Sequence, residues 1–183
     1  MQKVKTTTVD ATEGIATKIN YLISSSDSKT LLVYSDNKSE GKTTAILSIA
    51  PVMRSLYQRR VLILDHSNKA TDDLEKLLVT QDFDDNFVSK TKFSGVDFIR
   101  QSTLDDKSIS LEHLEEYYDL VLVNTTNYRD ETKVSIPTIK YDGALLVRTN
   151  KSLGNKMGIN SKNVLDINIP IIGIIFNEGK CNE

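Results

Sequence analysis

"TLLVYSDNKSEGKTT", Thr30–Thr44, is the stretch on which the reading of the chain turns. An apolar run of the kind that forms a strand buried on both faces leads into a polar turn and then a helix. Gly41-Lys42-Thr43 match the second half of G-x-x-x-x-G-K-[ST], where successive backbone N–H groups and a helix N-terminus cradle phosphate. Lys38, Ser39, Glu40, Gly41, Lys42, Thr43 and Thr44 are therefore the expected phosphate-binding residues. Lys42 would place a point charge at the outer phosphates, and the Thr43 hydroxyl would ligate Mg²⁺. Asp36 stands where the pattern has its first glycine, and its carboxylate would repel phosphate unless it turns away. The alternative is a plain strand-turn-helix with a lysine in the first turn. A strand before, a helix after and a later strand ending in Asp favour the phosphate loop.

Outward from this stretch, strand-like and helix-like segments alternate. Ala11–Ser25 reads as a helix, with Ile15, Ile19 and Leu22 on one face. Gly41–Gln58 reads as a helix carrying Ile46, Ile49, Met53 and Leu56, with a kink expected at Pro51. Arg60–Asp65 reads as a buried strand, Asp119–Asn124 and Gly143–Thr149 as a third and a fourth strand, Ile169–Asn177 as the last, and Gly95–Ile99 as a further one. Ala70–Leu78 and Ser108–Tyr118 read as short helices. Val79–Gly95 is polar and weakly periodic, a loop with one edge strand. Residues 150–167 form a broken helical pattern, weakened by Gly154 and Gly158. Such alternation implies an α/β fold of three layers: a mainly parallel central sheet with helices on both faces, as one domain spanning residues 1–183. Ligands then bind at the carboxyl ends of the strands.

Three further strand ends carry candidate chemistry. Asp65 follows its strand directly, where a carboxylate holds Mg²⁺ or orients a nucleophile; capping of the "DHSN" turn is the competing role. With Lys42, it is the candidate catalytic residue. The strand "DLVLVN" ends in Asn124, where a metal site wants an acid; Asp119 lies at its wrong end and Asp130 six residues beyond. Asn177 ends the last strand, and its amide either pairs with a purine edge or caps a loop.

These strand ends together resemble the cytoplasmic domain of bacterial tyrosine kinases of capsule and exopolysaccharide biosynthesis, within the ParA/MinD-like P-loop superfamily. The resemblance covers Glu13–Asn177 and is most specific at "SEGKTT". It implies a P-loop NTPase-like fold, ATP or ADP and Mg²⁺ as cofactors, and a membrane chain-length (polysaccharide co-polymerase) protein, or its cytoplasmic tail, as partner. The chain departs from the family at definite places. After Asp65, Ser67 stands where a second acid is usual, and Asn124 and Asn127 replace D-x-x-P. In E-x-x-R-x-x-R, Glu13 remains but Ala16 and Ile19 replace the arginines that support a ring, so a monomer or small oligomer is expected. There is no C-terminal tyrosine cluster, the last tyrosine being Tyr141; the signature lysine of the ATPase branch is absent at Asn37.

Composition bounds the remaining classes. With 39% hydrophobic and 26% charged residues, the chain has enough apolar material for a packed core. A formal net charge of −2 and no dense basic face exclude a dedicated nucleic-acid binder. The lone Cys181 cannot form an internal disulfide, which fits a reducing compartment. No apolar stretch reaches the roughly 18 residues that span a bilayer, so a cytoplasmic domain, recruited to the membrane only by a partner, is expected. The lost carboxylates favour a degenerate, kinase-like regulatory domain over its alternatives, an active Mg²⁺-dependent ATPase or tyrosine kinase and a ParA/MinD-type positioning ATPase.

Overall fold

A computed structural model of the chain describes residues 8–26, 29–35, 40–66, 73–81, 88–100, 102, 110–125, 140–149 and 169–177. The apolar runs become strands because both of their faces are covered. β1 (Thr30–Tyr34), β2 (Val61–His66) and β6 (Leu120–Thr125) are buried along nearly their whole length. They join β5 (Val96–Arg100), β7 (Gly143–Thr149) and β8 (Ile171–Asn177) in a parallel array. The full sheet has eight strands in the order β3-β4-β5-β2-β6-β1-β7-β8.

β3 (Val79–Gln81) and β4 (Ser89–Thr91) correct the expectation of a single edge strand in Val79–Gly95. Two short strands pair antiparallel with each other, and β4 pairs antiparallel with β5. At three residues apiece they are too short and too polar to show a period of two.

Side chains alternate across the sheet, so each strand feeds two cores. Leu31, Val33, Val61, Ile63, Phe98, Leu122 and Val147 pack on one face with α1 (Thr8–Ser25), α2 (Lys42–Tyr57) and α3 (Asp73–Leu78). On the other face, Leu62, Leu64, Ile99, Val121 and Val123 pack with Leu111 and Leu114 of α4 (Leu111–Glu115). Leu32, Tyr34, Ala144 and Leu146 form a further cluster with Ile169. Helices therefore lie on both faces, giving the three layers read from the sequence. The cap of α4 is Ser110, whose hydroxyl accepts from His113 N at 3.2 Å. α2 runs unbroken through Pro51, its core face of Ala45, Ile46, Ile49, Ala50 and Met53 outweighing the lost backbone bond. The expected broken helix of residues 150–167 lies outside the described residues.

Two carboxylates fix the strand starts at the opposite edge. Asp142 Oδ2 accepts from Lys29 N at 2.7 Å and Thr30 N at 2.9 Å, anchoring β1. Asp119 Oδ2 accepts from Arg60 N at 2.7 Å, anchoring the start of β2.

Candidate functional site

Because β1, β2, β6, β7 and β8 are parallel, their carboxyl ends share one edge with the N-terminus of α2. Gly41 starts α2 with φ 94° and ψ 28°, a left-handed conformation that glycine alone adopts without strain. No side chain caps this helix and its first turn carries no acid. A helix N-terminus without a side-chain cap or an acid in its first turn suits an anion. A Cβ at Gly41 would come within 2.0 Å of Nδ2 of Asn177. That nitrogen donates to the carbonyl of Glu40 at 3.2 Å, so the end of β8 braces the loop from behind. Glu40 itself is buried.

Lys42, the first residue of α2, donates its Nζ to the carbonyl oxygen of Thr125. The cation thus bridges from the loop to the end of β6. Thr43 is half-buried and Thr44 exposed on the same turn.

Beside this cradle, the β2–β6 register sets Asp65 opposite Asn124 and His66 opposite Thr125. Asp65 is 3% exposed and Asn124 5%. Nδ2 of Asn124 donates to Oδ1 of Asp65 at 2.9 Å. The other amide atom, Oδ1 of Asn124, is buried with no hydrogen-bond partner among the described residues. An orphaned acceptor costs about 1–3 kcal/mol unless a donor arrives, and a metal-bound water is one such donor.

The residues fit phosphate and Mg²⁺ unequally. The cradle meets the requirements of a phosphate group: a helix N-terminus with no side-chain cap from its N-cap residue, a glycine in a left-handed backbone, and a lysine in the first turn. For Mg²⁺ the hard protein donors are the Thr43 hydroxyl and the Asp65 carboxylate. Among the described residues no three acidic, histidine or cysteine groups gather into a metal set. Lys38 and Ser39 lie outside the described residues, as do Asp36, Ser67 and Asp130. Asp119 sits at the far edge of the sheet, occupied with β2.

A cavity of about 110 Å³ opens next to the loop, between Thr12 and Ile15 of α1, Thr44 and Ser48 of α2, and Phe176 and Asn177 of β8. It is smaller than the roughly 300–1,000 Å³ that encloses a whole ligand, and has room for part of one. Thr125 was not among the residues singled out from sequence. It contributes a backbone carbonyl, a group every residue carries and no motif marks.

No protein-family model matches the sequence, and no curated protein sequence does so significantly. Solved structures do match. The kinase domain of the Escherichia coli tyrosine kinase ETK superposes with a TM-score of 0.69 at 18% identity, over 92% of this chain and 74% of that one. The chimerical protein CapA2B2 gives 0.71 at 12% identity, over 96% and 87%. This chain has the fold of the bacterial tyrosine-kinase domains. A ParA family ATPase from Chlorobium tepidum TLS shares it more distantly, with a TM-score of 0.60 at 18% identity over 84% and 75%. Within this kinase-like fold the chain is a divergent example, at identities that speak for architecture. What its own site can do follows from its own residues.

Proposed function

We propose that this kinase-like domain binds ATP or ADP weakly, has impaired phosphoryl transfer, and serves exopolysaccharide or capsule assembly or its regulation. One observation carries the reading: at the strand edge where a metal site needs paired acids, Asp65 is met by the amide of Asn124. A neutral amide gives Mg²⁺ one weak oxygen in place of a charged one.

Each residue has a part. The first N–H groups of α2 hold the phosphates, and Gly41 allows the backbone to approach them. Lys42 exchanges the Thr125 carbonyl for the outer phosphates. Thr43 and Asp65 would hold Mg²⁺, which when bound neutralises charge on the transferring phosphate. Asn177 supports the loop through Glu40 and, in this reading, its amide would also pair with the base. The partner in this reading is a membrane chain-length protein or its cytoplasmic tail. No helix among the described residues is long and apolar enough to cross a membrane.

A phosphate-release assay with ATP and Mg²⁺ tests the proposal. Turnover at background is expected. Turnover of about 1 s⁻¹ or more, the range of working kinases, overturns it in favour of an active ATPase or tyrosine kinase, the reading that the intact Gly41 cradle supports.

A further inference from the structure

A second cavity, larger than the one beside the phosphate loop, lies away from it. It lies at the opposite edge of the sheet, where β2, β5 and β6 begin, and measures about 540 Å³. Three cations line it, Arg54, Arg60 and Lys90, against the single carboxylate of Asp97. That carboxylate is already satisfied: Lys90 Nζ lies 2.7 Å from its Oδ2 and the Tyr118 hydroxyl donates to the same oxygen at 2.8 Å. Asp97 is 7% exposed and lines the cavity, where the Lys90 cation offsets its charge.

The two arginines are less committed. Arg54, in the last turn of α2, donates one N–H to the carbonyl of Gln58 at 3.2 Å. Its side chain lies across Gly95, where a Cβ would come within 2.4 Å of Nε. Gly95 has φ 80°, so the backbone there is shaped for glycine and leaves the guanidinium its place. Arg60 meets Asp119 at 3.7 Å with its side chain 55% exposed, a weak solvent-screened contact. Phe93, whose ring has Lys92 Nζ 5.2 Å from its centre, and Tyr117, which meets His113 in a T-shaped contact, line the same cavity.

We propose that this cavity is a binding site for a small phosphate monoester carried on a flat ring, distinct from the phosphate loop. Arg54 and Arg60 grip the dianion, since guanidinium groups match phosphate oxygens in paired N–H bonds. Phe93 and Tyr117 take the ring by face or edge contact. The volume suits such a molecule, falling within the range of small-ligand pockets. The competing reading gives Arg54 only a helix-closing role, through the Gln58 carbonyl and the α2 dipole.

Phenyl phosphate titrated into the isotopically labelled full chain separates the two. Saturable shifts of the Phe93–Val96 and Tyr117 amides are expected, with inorganic phosphate binding roughly tenfold more weakly because it lacks the ring. Arg54→Gln and Arg60→Gln should each weaken phenyl phosphate about tenfold, while Lys42→Ala leaves it unchanged. Arg60→Gln alters an exposed side chain and keeps the test valid should Arg54→Gln disturb α2. Shifts confined to Gly41–Thr44, loss of binding in Lys42→Ala, unchanged affinity in Arg60→Gln, or no saturation by about 10 mM would overturn the site.

Discussion

Asn124 decides more about this molecule than any residue of the loop that first draws attention. Its amide answers Asp65 with a hydrogen bond and leaves a buried acceptor with no partner among the described residues. Asn124→Asp replaces that bond with two buried carboxylates facing each other. We expect it to destabilise the chain by about 1–3 kcal/mol in chelator, and Mg²⁺ to restore the melting temperature. Melting that Mg²⁺ does not raise would mean that Asp65 faces no cation site. Gly41 is the second critical residue. Gly41→Ala forces a side chain into a left-handed backbone and onto Asn177, and should cost at least about 1 kcal/mol in urea unfolding. Lys42→Ala should lower ADP affinity by tenfold or more in calorimetry. The Asp65–Asn124 contact was not legible in the sequence, because 59 positions separate its partners and only the β2–β6 register joins them.

Among the elements, legibility followed burial. β1, β2, β6 and β7 could be read because strands covered on both faces are written as continuous apolar runs. β3 and β4 could not, since three residues of mixed polarity carry no usable period. The start of α4 was misplaced between two serines, and Ser110 rather than Ser108 is the cap. Tyr141, just ahead of β7, packs against the cores of the second face. Burial pushes its phenol well above the usual value of 10.0, and its hydroxyl has no hydrogen-bond partner among the described residues. The folded chain therefore holds this proton more tightly than the unfolded one. Its contribution to stability is complete below pH 10 and declines as pH rises beyond it. Tyr141→Phe should unfold at nearly the same urea concentration as the parent at pH 8 and show a shallower loss above pH 10. A variant that loses stability as steeply as the parent would place the titration elsewhere.

At the scale of the molecule, the parallel strands bring Gly41, Lys42, Asp65 and Asn177 to one edge and the arginine cavity to the other. The first edge was legible because phosphate loops have a motif. The second was not, because its lining comes from segments between Arg54 and Tyr118 that only the strand order brings together. In α1, the two positions where the resembled family carries ring-forming arginines are used for packing. Ala16 and Ile19 are fully buried against α2, completing this chain's own core. Light scattering should accordingly find a monomer or small oligomer, and a stable ring would contradict that expectation. If a phosphate cradle has outlived its metal site, Mg²⁺ adds little to nucleotide affinity. Calorimetric titration of ADP with and without Mg²⁺ tests it most directly. Weak binding that Mg²⁺ changes by less than about threefold is expected; a tightening of tenfold or more with Mg²⁺ would show that the metal site still works.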